Sequence, residues 1–108
     1  MGEALPELII VFCTCAEQDE AARIATALVE ERLAACVNVL PAIESIYRWQ
    51  AAVERATEIL LLIKTTQAQL EALRDRIQFL HSYDTPEIIA VPVVGGSERY
   101  LDWLREQV

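Results

Sequence analysis

Two places in this chain carry side chains whose chemistry goes beyond packing. The first is Cys13-Thr14-Cys15, where two thiols stand two positions apart. Thiolates are soft ligands suited to copper(I) or zinc, and a helix N-terminus nearby lowers a thiol pKa. The same residues also read blandly, with Cys13 as a small strand hydrophobe and Cys15 as an incidental turn residue. The second place is His81, the single histidine, in a polar stretch with Tyr83, Asp84 and Glu87. An imidazole beside carboxylates can coordinate a divalent metal or serve as an acid–base pair. Its bland reading is a helix-terminal histidine facing the last carbonyls and the helix dipole. Cys36 has no ligating neighbour in sequence and reads as core. Lys64-Thr65 could hold an anion or simply be the solvated end of a strand.

Much else is closed off. The chain has no P-loop, no G-x-G-x-x-G and no G-x-S-x-G, and nothing in it demands an enzyme. A net charge of −8, with one lysine among nine basic residues, opposes nucleic acid and anionic membranes. Tyr47 and Trp49 alternate along one strand face. Without a basic surround they read as aromatic packing at a subunit contact rather than a nucleotide-stacking platform. No apolar run approaches the roughly 18 to 20 residues of a membrane span. Residues 1–7 lack a basic or apolar leader and read as a loose tail, and the odd cysteine count favours reduced thiols, so a cytoplasmic protein is expected.

The elements that must position these residues follow from the hydrophobic pattern. Leu8 to Cys13 is a short β-branched run, expected as a strand buried on both faces. Thr14-Cys15-Ala16-Glu17 fits a capping box. The helix it would open carries Ala21, Ile24, Ala25, Leu28, Val29 and Leu33 on one stripe, with acids and arginines opposite, and ends near Ala34-Ala35. Cys36 to Trp49 and a second arm centred on Ile59 to Ile63 flank Gln50-Ala51-Ala52. They predict a hairpin whose arms are about twice the usual strand length. Thr66-x-x-Gln69 offers a second capping box, before a helix built on Leu70, Leu73, Ile77 and Leu80. His81 to Pro86 stops that helix, because the residue before proline leaves the helical region. Glu87 to Val94 predicts a last strand, with Pro92 at an edge or bulge. After Gly95-Gly96, Ser97 can cap a short helix containing Tyr100, Leu101 and Leu104.

The order β-α-β-β-α-β plus a terminal helix is the ferredoxin-like split pattern, an α+β sandwich in a single domain over residues 1–108. Two helices cover one sheet face, yet the first and third strands are apolar at nearly every position. Cover for the second face must come from another copy, so an oligomer is expected. Small copper chaperones of this topology place a Cys-x-x-Cys at the first strand–helix junction, a spacing one residue longer than here.

Several ordered motifs together resemble the CutA divalent-cation tolerance proteins. They are Leu33-Ala34-Ala35-Cys36-Val37-Asn38, Ser45-Ile46-Tyr47-Arg48-Trp49, Glu58, Ile63-Lys64-Thr65, His81-x-Tyr83-x-x-Pro86-Glu87-Ile88 and Tyr100-Leu101-x-Trp103. The resemblance runs from about Leu8 to Trp103. It implies a cytoplasmic, non-enzymatic homotrimer with hairpins pairing across subunits, linked to tolerance of copper and other divalent metals. Metal ligation carries over onto Cys13, His81 and Glu87, with no metal required for folding. Ile46, Tyr47, Trp49 and Trp103 are expected at subunit contacts. The chain departs from the family at Ser82, where proline is frequent, at Ala16, near which a proline is also frequent, and at the hairpin turn. There Ala51 and Ala52 follow Gln50, in place of the usual glycine and lysine. A different class of reading is a trimeric signalling or scaffold module in the manner of the PII regulators. Its clefts would bind a small anionic ligand or a protein partner through Lys64, Arg48 and Tyr83.

Overall fold

The computed structural model describes residues 7–108, so most of the expected tail lies outside the described residues. Leu8–Cys15 forms β1, two residues longer than its apolar run, because Thr14 and Cys15 continue the ladder opposite Leu60 and Ile59. The capping box expected at Thr14 is therefore absent. Helix α1, Gln18–Glu30, starts from an extended Glu17 with no side-chain cap. It buries Ala21, Ile24, Ala25 and Leu28 as the stripe predicts but leaves Val29 exposed, and it also buries Glu20, which its position among the acids did not suggest. The helix ends at Glu30, short of the expected Ala34-Ala35. Arg32 takes φ 58°, and the Leu33 N–H reaches back to the Leu28 carbonyl, a Schellman closure without glycine.

β2, Cys36–Trp49, and β3, Ala52–Thr66, are the long hairpin. Trp49 pairs with Ala52, so Gln50 and Ala51 alone make the turn, with φ of 48° and 67°. Two consecutive left-handed residues match the twist of the arms, and this turn ordinarily recruits Asn-Gly or a related pair. Within β2 the register shifts between Leu40 and Ile43. Pro41 and Ala42, the latter at φ 58°, stand opposite Ile59 as a bulge. Leu40 pairs with Leu60 and Ile43 with Glu58, so the extra residue puts Ile43, Ser45, Tyr47 and Trp49 on the same face as Leu40. Without it they would lie on the other.

A 3-10 turn at Gln67–Gln69 leads into α2, Leu70–Leu80, again without the expected side-chain cap at Thr66. β4 is only Ile89–Pro92, half the expected span, and pairs with β1 alone. Pro92 accordingly sits on an edge strand, as predicted. α3, Glu98–Glu106, closes the chain, and Ser97 makes no side-chain cap. The sheet order is β2-β3-β1-β4, every neighbouring pair antiparallel, which is the ferredoxin-like arrangement.

Ile9, Val11, Leu61 and Ile63 meet Ile24, Leu28, Leu73 and Ile77 in the main core, under α1 and α2. Leu8, Ala35 and Leu104 form a smaller cluster, with half-buried Cys36 packed against it in the core role expected. Thr65 is fully buried and its hydroxyl donates to the Leu33 carbonyl at 2.6 Å, so this strand end is not solvated. The opposite sheet face presents Leu60, Leu62, Ile10 and Phe12, all only partly covered. Beyond Glu58 the hairpin pairs only with itself, giving a molecule 55 Å long and about 25 Å across. No helix among the described residues is long and apolar enough to cross a membrane.

Candidate functional site

Alternation along β1 sends Cys13 and Cys15 to the helix-covered face and Thr14 to the open one. Both cysteines are fully buried. α2 ends at Leu80, and the extended backbone of His81 brings its ring to the same place. The two sulfurs and a His81 ring nitrogen lie within 4.8 Å of one another.

Each ring nitrogen of His81 already has a backbone partner. Nε2 stands 2.7 Å from the Thr14 carbonyl, and Nδ1 accepts the Tyr83 N–H at 3.0 Å. A carbonyl can only accept and an amide N–H can only donate, so the ring is the Nε2–H tautomer. The Glu20 carboxylate lies beside it, with Oε1 3.6 Å from Nδ1, buried and without a hydrogen-bond partner. The Nδ1 lone pair is already taken by the Tyr83 N–H, so Glu20 Oε1 is the acceptor left without a partner, and a metal cation held beside it would satisfy it.

The thiols behave as a pair. A hydrogen bond to Cys15 pushes the Cys13 thiol far above its ordinary value, reinforced by burial and by the charges of Cys15, Glu87 and Glu20. The same bond lowers Cys15, against burial and the charges of Glu20 and Glu58. Cys15 is thus the sulfur that releases its proton first. Two sulfurs and an imidazole nitrogen form a donor set suited to zinc or copper(I), with the Glu20 carboxylate beside the imidazole but outside that group of three. For the imidazole to ligate, it must give up either the Thr14 carbonyl or the Tyr83 N–H, at a cost of about 1 kcal/mol. Ion capture is therefore coupled to the position of the 81–87 segment.

The open face holds a cleft of about 510 Å³ walled by Tyr47, Trp49 and Tyr83, with Glu58, Asp84 and Glu87 around it and Thr14 at its base. The Tyr83 hydroxyl donates to Glu58 Oε2 at 2.8 Å. Burial, and then that bond, raises the Tyr83 pKa above its usual value.

Of the residues singled out by sequence, Cys13 and His81 come together as expected. Glu87 does not join them. It is exposed at the cleft, where its charge reaches Cys13 but its oxygens lie outside the ligand cluster. The places beside Cys13 and His81 belong to Cys15, weighed in the sequence as a thiol ligand against an incidental turn residue, and to Glu20, which sequence reasoning missed. Strand alternation would have placed Cys15 there, had β1 been extended two residues. Arg48 and Lys64 do not line the cleft with Tyr83. Arg48 pairs with Val53, on the face away from Tyr47 and Trp49. Lys64 lies roughly 20 Å of strand beyond Glu58, where Nζ donates to the Tyr100 hydroxyl at 3.2 Å and sits 5.4 Å from that ring's centre. An acidic cleft lined by no lysine or arginine is a poor host for an anion. Ile46 lies on the Arg48 face at 58% exposure, while Trp103 stacks on Tyr100 with ring centres 5.7 Å apart.

Comparison with known proteins agrees across the chain. The family model for CutA1 divalent ion tolerance protein matches residues 9–107. The divalent-cation tolerance protein CutA of Thermus thermophilus is 52% identical over 97 residues, covering 90% of this chain and 94% of its own. Its solved structure superposes with a TM-score of 0.91 at 50% identity, over 93% of this chain and 97% of that one. The crystal structure of CutA1 from Oryza sativa gives a TM-score of 0.93 at 41% identity, over 95% and 94% of the two chains. Sequence match and fold coincide over nearly the full length, and the chain belongs to the CutA1 divalent ion tolerance protein family.

Proposed function

We propose that this chain is a non-enzymatic metal-tolerance protein that captures copper, or another thiophilic divalent ion, at Cys13, Cys15 and His81. The observation that carries the reading is the convergence of those three donors within 4.8 Å, beside the unpartnered Glu20 oxygen. Glu20 supplies a fourth donor or a neutralising charge, and Glu87 adds negative potential from the cleft side. The ion is cargo, and the fold does not depend on it: apart from Cys13 and Cys15, the core under α1 and α2 is built from aliphatic side chains.

The working form in this proposal is a cytoplasmic homotrimer. Its support is the half-covered apolar face of Ile10, Phe12, Leu60 and Leu62, together with a hairpin that projects beyond the sheet with unpaired edges. Three free thiols suit a reducing compartment.

Native mass spectrometry of reduced protein, first metal-free and then titrated with copper, tests both parts. The expected result is a trimer that takes up one ion per chain in discrete steps. That uptake should disappear in Cys13→Ala, Cys15→Ala and His81→Ala. Uptake by His81→Ala equal to that of the unmodified chain would sink the site, and a monomer would sink the assembly.

A further inference from the structure

Resting on the reading of Cys13, Cys15 and His81 as the ion's site, we propose that the acidic pocket at the N-terminus of α1 is the port through which a metal ion reaches them. Glu17 and Asp19 draw the cation in, and Glu20 hands it inward. The three donors are sealed off: both cysteines are fully buried, and the His81 side chain is 0% exposed. Passage from the cleft is closed on both edges of β1. The ladder to β3 holds one edge, where Cys13 pairs with Leu61 and Cys15 with Ile59. His81 itself holds the other, through its contact with the Thr14 carbonyl.

On the helix side, away from the half-covered apolar sheet face, a pocket of about 360 Å³ is lined by Glu17, Gln18, Asp19, Glu20 and Arg23. It has room for an ion with a shell of about six waters, each taking about 30 Å³. Three carboxylates face one guanidinium and the partial positive charge of the helix N-terminus, about half a unit, so the pocket stays negative. Glu17 and Asp19 are exposed, whereas Glu20 is only 7% exposed and its Oε1 has no hydrogen-bond partner. Glu20 is what the pocket and the cluster share. It lines the first, and its Oε1 stands 3.6 Å from His81 Nδ1 in the second. A buried carboxylate oxygen without a donor favours a cation that has begun to shed its water. Among the described residues the group of three with ligand-sized spacing is Cys13, Cys15 and His81, so the pocket passes the ion on and does not keep it.

The test uses reduced, metal-free protein in its native assembly, mixed rapidly with cobalt(II). Thiolate-to-cobalt absorption reports arrival at sulfur, and excess chelator then reports release. Uptake should slow as ionic strength rises. The double variant Glu17→Gln, Asp19→Asn, changed only at exposed positions, should take up cobalt about five- to tenfold more slowly at low salt, with a flatter salt dependence and release within about twofold of the unmodified chain. Arg23→Gln should speed uptake. Glu20→Gln should slow uptake and also speed release, because that residue belongs to both places. Glu71→Gln, an exposed acid on α2, should behave as the unmodified chain does. Unchanged uptake by the double variant would overturn the port and leave the thiol site standing, whereas no thiolate absorption from the unmodified chain would overturn both. Equal slowing by Glu71→Gln would reduce the effect to overall charge, and equal slowing by Glu87→Gln would move the entrance to the cleft; either result overturns the port.

Discussion

Tyr83 and Glu58 are joined by a 2.8 Å hydrogen bond across the cleft, while the Tyr83 backbone N–H holds His81 Nδ1 on the far side of β1. One residue therefore touches both the cleft and the ligand cluster. Replacing it with phenylalanine leaves the Glu58 carboxylate buried with no donor. Tyr83→Phe should cost about 1–3 kcal/mol in urea denaturation at neutral pH. An unchanged midpoint would mean that water already serves Glu58.

The same pair predicts an alkaline limb. Burial and the Glu58 bond raise the Tyr83 pKa above its unfolded value of 10.0, so the folded state holds that proton more tightly than the unfolded chain. The contribution is present in full below about pH 10 and is lost as pH rises past it. The difference in stability between the unmodified chain and Tyr83→Phe should shrink on going from neutral pH to above pH 10. Taking the difference cancels the thiols, which titrate in both proteins.

Glu20 sets metal-free stability against metal affinity. Its buried, unpartnered Oε1 beside Nδ1 destabilises the empty protein. Glu20→Gln replaces the buried carboxylate with a neutral amide that costs less to bury. It should stabilise chelator-treated protein by about 1 kcal/mol and weaken copper about tenfold in a competition titration. A variant that loses stability without losing affinity would place Glu20 outside the ion's reach.

Metal capture must release thiol protons, and Cys13 holds its proton strongly through the bond to Cys15. Affinity for zinc or copper should therefore rise with pH between about 6 and 8. In Cys13→Ala, one proton fewer is displaced and the slope should be shallower. Equal slopes would show that Cys13 stays protonated when the ion is bound.

At the hairpin tip, Ala51 holds φ 67° without glycine's freedom. Ala51→Gly should stabilise the protein by about 1 kcal/mol, measured by thermal or urea unfolding. No change would indicate that the arms impose the turn at no local cost.

What was legible in the sequence follows a physical line. Periodic burial is written residue by residue, so β1, both long arms and the stripes of α1 and α2 could be read directly. The ferredoxin-like order followed from them. Chain reversals that dispense with their usual residues could not be read: Arg32 closes α1 where glycine is expected, and Ala42 carries the bulge. The site was half legible for the same reason. Cys13, Cys15 and His81 stand out by type, but turning Cys15 inward beside the other two required knowing that β1 runs past the apolar run, and Glu20 looked like any acid in a first helical turn. Its buried oxygen lies against His81, sixty-one positions further along the chain.

The bulge at Pro41–Ala42 has one more consequence, because it separates the hairpin's reach from its handedness. Two residues added to each arm would push the tip out by about 7 Å and leave Tyr47 and Trp49 above the cleft. One residue added between bulge and turn would exchange them for Ile46 and Arg48, putting a guanidinium where the rings had been. The hairpin is free to change its length, but not its parity.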